Sequence, residues 1–381
     1  MNSDESCYLP MEAISEFGAI DSSRMRPTTE LAQGYSFVAD GDVAYAKVTP
    51  CFENGKGLRA AGLPGGYAFA TTEITVMRPS RQLDSRYLSW VLQSEDFRAP
   101  GEAHMSGAGG LKRVPESYAA KYRVSHPRVE IQRAIADYLD RETAQIDAFI
   151  AKNEELITLL AERRAAFIDH AFERLGAGPT RLKYCASIQT GVTLSGDGDP
   201  ADPEWPYLRV ANVQVGRVDL DEIKTIRVSE ARARQSMLSE GDVLMTEGGD
   251  RDKLGRGALW SGEIKPMLHQ NHVFAVKLRS NLDGRFLMRW LDASPSRRYF
   301  ETTAVQTTNL ASTNKTLVGN LPVPFCSVAA QLELVGALDL RLERLDAAVR
   351  VAEQSVRLAR ERRAALISAA VTGKIDVGVA G

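Results

Sequence analysis

Residues 163–168 read RRAAFI and residues 362–367 read RRAALI, so two nearly identical hexapeptides lie 199 positions apart (362 minus 163). The same offset relates Gln132 to Gln331, and it relates the dipeptide LD at 83–84 to the same dipeptide at 282–283. Chance seldom maintains one offset at several separate places along a chain. The sequence is therefore predicted to be a tandem duplication with a repeat of about 200 residues.

Each repeat ends in a long stretch with helical periodicity, at about 128–175 and 328–371, and both stretches share one mostly apolar frame. In the first stretch this frame consists of Leu139, Thr143, Ile146, Ile150, Asn153, Ile157, Leu160, Arg164 and Phe167. In the second it consists of Leu338, Leu342, Leu345, Val349, Ala352, Val356, Ala359, Arg363 and Leu366. Such a heptad seam favours a coiled coil, and the relation between tandem repeats makes the predicted pair antiparallel. The alternative is that each helix packs separately on its own domain.

Three seam residues are expected to affect the distance between the two helices and their register. Ala352 and Ala359 are small and would allow the two backbones to approach closely. Asn153 is polar and is expected to fix the register of the pair at some cost in stability. Such a pair would serve as a rigid spacer between two similar domains.

The part of each repeat that precedes its long helix is irregular and contains short strand-like runs such as 70–77 and 273–278. We therefore expect an α+β fold with two mixed α/β domains, residues 1–125 and 179–323, and two helical segments, residues 126–178 and 324–381. A segment at about 179–206 precedes Tyr207, whereas only seven residues precede the equivalent Tyr8. The first domain is therefore expected to lack about 20 residues of this opening segment.

Composition excludes several classes of protein. The 381 residues include 47 Lys and Arg against 49 Asp and Glu, a net charge of −2, which argues against a strongly basic, non-specific DNA binder. The four cysteines are scattered singly, so neither a disulfide framework nor a metal-ligand spacing is indicated. No signal peptide and no membrane-spanning stretch is recognised, and a cytoplasmic location is expected.

Two similar but divergent domains on a spacer suggest recognition of two different features of one long ligand, such as DNA. The best candidate contacts are basic residues in glycine-containing loops, because Arg reads guanine or clamps phosphate and glycine allows close approach of the backbone. For the second domain these are Arg251, Lys253 and Arg256, and a separate polar loop adds Thr308 and Asn309. For the first domain they are Lys47, Lys56 and Arg59, and a separate polar loop adds Lys112 and Arg113. Each loop taken alone is also compatible with a solvated turn.

At these motifs the chain resembles the specificity (S) subunit of type I restriction–modification systems, over nearly its whole length. The stretches that carry the resemblance are 241–260 (GDVLMTEGGDRDKLGRGALW), 269–276 (HQNHVFAV), 71–79 (TTEITVMRP), the starts of the two helices at Gln132 and Gln331, and 362–376 (RRAALISAAVTGKID). Each stretch alone is moderately specific, but together, in order and duplicated, they are strong.

The resemblance implies two target recognition domains that each read half of a bipartite site in double-stranded DNA, and a coiled coil along which modification subunits dock. It also implies a restriction subunit in the same complex, with S-adenosylmethionine, ATP and Mg²⁺ used by the partner subunits alone. The specificity subunit itself would be non-catalytic and without a cofactor. The alternative that the residues leave open is a coiled-coil scaffold that assembles partner proteins without recognising DNA.

Catalytic and metal motifs are weak in this sequence. The segment DPEWPY at 202–207 superficially resembles the Asp/Asn-Pro-Pro-aromatic motif of amino-methyltransferases, but its prolines are not adjacent and no cofactor fingerprint accompanies it. His269 and His272 are three residues apart in a strand-like segment, where they would point to opposite faces. We therefore predict neither a catalytic residue nor a metal site.

Overall fold

The structure is a computed structural model, and it describes residues 5–108, 110–194, 199–250, 253–306, 311–375 and 377, with the backbone alone at 306. The chain forms two compact units. Unit 1 comprises Met1–Glu155 and Ala352–Gly381, and unit 2 comprises Leu156–Val351. Each unit combines strands, short helices and portions of both long helices.

The strands in the described residues are β1 (Glu5–Leu9), β2 (Met25–Pro27), β3 (Ser36–Ala39), β4 (Val43–Ala46), β5 (Gly57–Arg59), β6 (Tyr67–Ala70), β7 (Ile74–Met77), β8 (Pro179–Arg181), β9 (Ala186–Thr190), β10 (Glu204–Leu208), β11 (Val213–Gln214), β12 (Arg217–Val218), β13 (Lys224–Arg227), β14 (Val243–Thr246), β15 (Gly248–Gly249), β16 (Gly257–Leu259), β17 (Leu268–His269), β18 (Val273–Leu278), β19 (Val305–Gln306), β20 (Ala311–Ser312) and β21 (Pro322–Pro324). The helices are α1 (Thr28–Leu31), α2 (Ser85–Gln93), α3 (Glu95–Ala103), α4 (Glu116–Lys121), α5 (Val129–Leu175), α6 (Leu182–Cys185), α7 (Glu230–Gln235), α8 (Gly284–Asp292), α9 (Ser294–Thr303), α10 (Lys315–Asn320) and α11 (Val328–Val371).

The described strands of unit 1 form two small sheets, with strand orders β2-β1-β6-β3 and β5-β4-β7. In the first sheet β1 runs parallel to β6, and in the second both neighbours of β4 are antiparallel to it. The side chains of Leu9, Val38 and Ile74 are buried in one core cluster. A second cluster joins Tyr45 of β4 to Phe97 of α3. Aromatic and β-branched residues on half-buried strands thus form the core of this unit.

Unit 2 contains a sheet with the order β16-β14-β18-β9, in which β9 pairs antiparallel with β18. The corresponding sheet of unit 1 has three strands, and in the described part of that unit no strand pairs with the outer edge of β7. Strand β9 lies in the segment that precedes Tyr207 in the second repeat. The two units therefore differ at this edge of an otherwise repeated sheet.

A buried aspartate closes the same turn in both units. The Asp42 carboxylate accepts hydrogen bonds from the backbone N–H of Ala39 at 2.8 Å and from the guanidinium of Arg78 at 2.8 and 2.7 Å. Asp242 accepts from the N–H of Ser239 at 2.7 Å and from Lys277 Nζ at 2.6 Å. Burial raises the pKa of Asp42, but the hydrogen bonds from Arg78 and Ala39 outweigh burial and hold that pKa below its usual value. The two repeats thus share the turn while exchanging Arg for Lys as the partner.

The long helices run antiparallel to each other within unit 1. Asp147 of α5 accepts a hydrogen bond from Arg363 Nε at 2.9 Å, and Glu154, farther along α5, accepts one from Arg360 at 2.8 Å. The partner number falls as the α5 number rises, which is the pattern of an antiparallel pair. The seam positions Ala352, Val356 and Ala359 of α11 are buried here.

The same relation holds within unit 2. Arg164 of α5 forms an ion pair with Asp346 at 3.4 Å, and the Arg341 guanidinium lies over the Phe167 ring at 5.4 Å from its centroid. Leu338 and Leu342 are almost fully buried. The predicted α+β fold with an antiparallel helix pair is confirmed, and the observed helix bounds lie within one residue of those expected from periodicity.

The seam residues of both helices are buried or half-buried, and these comprise Leu139, Thr143, Ile146, Ile150, Asn153, Ile157, Leu160, Arg164 and Phe167 on α5, and Leu338, Leu342, Leu345, Val349, Ala352, Val356, Ala359, Arg363 and Leu366 on α11. Asn153 departs from its expected role. Its Nδ2 donates to the Phe149 carbonyl of the same helix at 2.8 Å, and within the described ranges its side chain makes no hydrogen bond to α11. An amide satisfied by its own helix does not specify register.

Candidate nucleic-acid interface

The glycine-rich loop of unit 2 begins at β15, which pairs antiparallel with β20. Gly255 follows in this loop with φ +77, and a Cβ built there would lie 2.1 Å from Cδ2 of Phe300 in α9. The Leu254 carbonyl accepts a hydrogen bond from the Arg297 guanidinium, also on α9. Only glycine fits a position that combines left-handed backbone with such close packing. The loop is therefore held against a helix of its own unit.

Two candidate cations of this loop lie within the described residues. Lys253 Nζ forms an ion pair with Asp250 at 2.5 Å, with both side chains more than half exposed. Arg256 is half-buried, and its Nε is buried without a hydrogen-bond partner among the described residues. An exposed ion pair contributes little to stability and can be exchanged for a phosphate. Arg251, Thr308 and Asn309 lie outside the described residues.

A buried and an exposed histidine lie beside this loop. The Nδ1 of His272 lies 2.6 Å from a Glu247 carboxylate oxygen, at the surface. His269 is fully buried, with Nδ1 2.6 Å from the Val273 carbonyl oxygen, and burial lowers its pKa from 6.5 to about 4. Within the part of the chain that the structure describes, no group of three or more His, Cys, Asp or Glu side chains could hold a metal ion.

In unit 1, three candidate cations lie on neighbouring segments. The Val114 N–H donates to the Lys47 carbonyl at 2.8 Å, and the Thr49 N–H donates to the Lys112 carbonyl at 2.9 Å, which brings Lys47, Lys112 and Arg113 together. In the sequence these residues belong to separate loops. The structure thus gathers a small basic cluster at one end of β4.

Two of these three cations already have acidic partners. Arg113 donates two hydrogen bonds to Glu73 at 2.9 and 2.8 Å, and these bonds lower the pKa of that carboxyl group. Lys47 Nζ lies 3.4 Å from Glu116. Lys112 is exposed and has no ion-pair partner among the described residues. The local positive charge is therefore smaller than the sequence alone suggests.

The remaining two candidates of unit 1 lie around β5. Lys56 Nζ donates to the Met11 carbonyl at 3.2 Å. Arg59 is half-buried, and no acidic side chain in the described ranges forms an ion pair with it. Lys56, Arg59 and Lys112 are consequently the candidates of this unit without an acidic partner among the described residues.

One group of polar residues was not predicted from the sequence. A concave pocket of about 510 Å³ in unit 2 is lined by Arg232, Lys277 and Lys315 together with the polar side chains of β9. Arg232 and Lys315 lie far apart in sequence, on α7 and α10. The alternation of Arg in the segment EARARQ of α7 was the available signal, but only the fold shows which Arg faces the pocket.

Three curated relatives, all from Escherichia coli, match parts of the chain. The type I restriction enzyme EcoEI specificity subunit is 39% identical over 125 residues, 32% of this chain and 21% of that protein. The EcoAI specificity subunit is 35% identical over 133 residues, 34% and 23% of the two chains, and the EcoKI specificity subunit of strain K12 is 27% identical over 252 residues, 61% and 53%.

The homologues of this chain are type I specificity subunits. The chain spans less than a quarter of the length of the first two relatives and about half of the third. No family model matches the chain. The resemblance to specificity subunits that the sequence motifs indicated is thereby confirmed at the level of homology.

Two solved structures share their fold with this chain. One, from a study of complex assembly and conformational transition of the type I R-M system, has a TM-score of 0.70 at 16% identity and covers 97% of this chain and 92% of its own. The other is the HsdS subunit from Thermoanaerobacter tengcongensis, with a TM-score of 0.52 at 18% identity and coverage of 97% and 91%. At these identities the likeness establishes the fold alone.

Proposed function

We propose that this chain is the DNA sequence-recognition subunit of a type I restriction–modification complex and that it binds a bipartite, asymmetric site in double-stranded DNA. The observation that carries the proposal is the homology to specificity subunits, joined to a fold in which two related but different units each present basic loops. Because the two units differ in sequence, the two half-sites they read would differ as well.

In this proposal residues 1–125 and 179–323 are the target recognition domains, and residues 126–178 and 324–381 are the conserved helical segments. The proposed contacts are Lys47, Lys56, Arg59, Lys112, Arg113, Arg251, Lys253, Arg256, Thr308 and Asn309. Affinity would come mainly from phosphate contacts and specificity from side chains that reach base edges in the grooves. The close packing of Gly255 against Phe300 fixes the backbone next to Arg256.

The partners we propose are modification (methyltransferase) subunits and a restriction subunit. Support comes from a groove of about 440 Å³ in unit 1 between α5 and α11. Phe149 and Leu358, which line this groove, are 49% and 55% exposed. Exposed aromatic and aliphatic side chains along a groove are typical of a protein-docking surface. The groove would accept the modification subunit.

We assign no catalytic step and no cofactor to this chain itself. The homologues are specificity subunits, and S-adenosylmethionine, ATP and Mg²⁺ would be used by the modification and restriction subunits. No helix in the described residues has both the length and the apolar character needed to span a bilayer.

Duplex binding by the full chain together with its modification subunits tests the proposal. We expect saturable binding whose affinity falls steeply between about 50 and 200 mM salt, because phosphate contacts release counterions. Within that assay Arg251→Ala should weaken or relax recognition of one half-site only. Equal loss at both half-sites would refute the assignment of this loop to one recognition domain.

The alternative function is a scaffold that assembles partner proteins without recognising DNA, and the exposed groove of Phe149 and Leu358 would serve it equally well. The same assay separates the two functions. A scaffold would capture the modification subunit and lose it when Phe149 and Leu358 are changed to Ser, yet would give the complex no added affinity for duplex DNA.

A further inference from the structure

A polar pocket in unit 2 lies beside the edge strand β9, is open to solvent and has a volume of about 510 Å³. Its lining includes Ser187 and Gln189 of β9, Arg232 of α7, Lys277 of β18 and Lys315 of α10. None of the described lining residues is acidic. This is the composition of a site for an anionic group.

The positive charge of this pocket is only partly compensated from within the unit. Lys277 Nζ is neutralised by Asp242 at 2.6 Å and also donates to the Met237 carbonyl at 3.1 Å. Arg232 and Lys315 are both exposed, and neither forms an ion pair or a side-chain hydrogen bond with a described residue. Two cations therefore remain available for a ligand.

The walls of the pocket are fixed by backbone contacts. A Cβ at Gly191 would lie 1.9 Å from the His269 carbonyl oxygen, so glycine is needed for the end of β9 to approach this segment. The N–H of Val192 donates to the same oxygen at 2.8 Å. Gln189 Nε2 donates to the Gln235 carbonyl, which ties β9 to α7. Gln189 Oε1 is buried without a partner among the described residues, and it can accept a hydrogen bond from a water that bridges to a bound group.

Backbone hydrogen bonds connect one wall of the pocket to the segment that precedes the glycine-rich loop. The Asn271 N–H donates to the Val192 carbonyl at 2.8 Å, and the Glu247 N–H donates to the His272 carbonyl at 2.9 Å. The Thr313 N–H then donates to the Glu247 carbonyl at 2.8 Å, two residues before Lys315. Hydrogen-bonded segments thus link the pocket to the residue that directly precedes β15.

We propose that Arg232 and Lys315 bind a phosphodiester group of the DNA backbone in this pocket. The inference rests on the proposed DNA-recognition function and adds a contact that depends on β9. Because no described strand of unit 1 occupies the place of β9 beside β7, the contact belongs to the half-site that unit 2 reads. Phosphate contacts of this kind set the position of a protein on the duplex without reading bases.

The test compares the full chain carrying Arg232→Gln and Lys315→Gln with the wild type on one duplex. The dissociation constant Kd is measured from about 50 to 200 mM salt. The slope of log Kd against the logarithm of the salt concentration should decrease in magnitude by about 0.9 for each phosphate that the double variant no longer neutralises. The two changed side chains are exposed and lack described partners, so the melting temperature should stay at the wild-type value.

Arg234→Gln is the matched control on the same helix. Arg234 lies two residues from Arg232, and its guanidinium forms an ion pair with Glu230 at 3.2 Å. It does not line the pocket. The control should therefore remove one positive charge from α7 and leave the salt slope unchanged.

The possible outcomes distinguish a failure of the proposed phosphate contact from a failure of the proposed DNA recognition. If the wild type binds DNA and the double variant shows the same salt slope, the proposed phosphate contact is wrong, but the proposed DNA recognition is not affected. Absence of wild-type binding to DNA overturns both. Calorimetry with inorganic phosphate separates the sources of the anion: tight binding of free phosphate that the double variant abolishes, with no effect on the DNA slope, would assign the pocket to a free anion and refute the proposal.

Discussion

The side-chain oxygen of Gln331 accepts a hydrogen bond at 2.8 Å from the backbone N–H of Asp283, the residue that caps α8. In the other repeat, Gln132 accepts one at 2.8 Å from the N–H of Asp84, which caps α2. Each glutamine also donates to two backbone carbonyls, and both are almost fully buried. The start of each long helix is thus tied to the mixed α/β segment that precedes it.

Replacing either glutamine should destabilise the unit that contains it. Gln331→Leu would leave the Asp283 N–H and the carbonyls of Asn281 and Cys326 without partners, and one unsatisfied buried group costs about 1–3 kcal/mol. The expected result is a free energy of unfolding lower by at least this amount, with faster hydrogen exchange in α8. Gln354→Leu, at an exposed position of α11, should stay within about 0.5 kcal/mol of wild type. Equal losses of stability in the two variants would contradict the role of Gln331 in joining the start of α11 to the segment that precedes it.

Leucines at seam positions of α11 should contribute more to stability than leucines at its surface positions. Leu338 is 3% exposed and belongs to the unit 2 core, so Leu338→Ala should lower the free energy of unfolding by about 2–5 kcal/mol in urea titration. Leu340, on the same helix, is 59% exposed, and Leu340→Ala should change stability by less than about 0.5 kcal/mol. Similar losses at both positions would show that α11 does not present the predicted seam.

Gly255→Ala should disturb the glycine-rich loop. The new methyl group would meet the Phe300 ring, and the left-handed backbone at φ +77 adds strain of about 1 kcal/mol. We expect weaker DNA binding and faster limited proteolysis within the loop. Gly249→Ala is the control, because nothing lies within 4 Å of a Cβ there. A Gly255→Ala variant that resists proteolysis like the wild type would refute the close packing against α9.

His269 should make stability depend on pH. Its pKa is about 4 in the folded protein against 6.5 for the free side chain, since burial disfavours the charged ring. The unfolded chain therefore binds the proton more readily, and stability present above pH 6.5 is lost as pH falls from 6.5 towards 4, by about 3 kcal/mol. The free energy of unfolding, measured across this pH window, should depend less steeply on pH in the His269→Gln variant than in the wild type. His126→Gln, at an exposed position, should retain the wild-type slope.

The repeated elements could be predicted from the sequence because their signals are periodic or duplicated. A 3–4 residue spacing of apolar side chains indicates the bounds of α5 and α11, and the offset of 199 relates Gln132 to Gln331 before any contact is known. Periodicity reports which face of a helix is apolar, and that face is what the helix pair buries.

The site was less predictable because its contacts are long-range. Glu73 and Glu116 give no local sign that they partner Arg113 and Lys47. The hydrogen bond of Asn153 to its own helix likewise depends on rotamer geometry, which the heptad pattern does not encode. The pocket beside β9 arises only when that strand closes the edge of a sheet, a relation set by topology.

We propose that this chain directs a methyltransferase to a split DNA sequence through two different recognition domains. Genome-wide mapping of adenine methylation, in cells with the gene and in cells from which it has been deleted, tests that claim most directly. We predict one bipartite motif, with two unlike halves at a fixed spacing, that is methylated in the first cells and unmethylated in the second. A methylation pattern that is the same in both, or that differs only by a single uninterrupted motif, would contradict it.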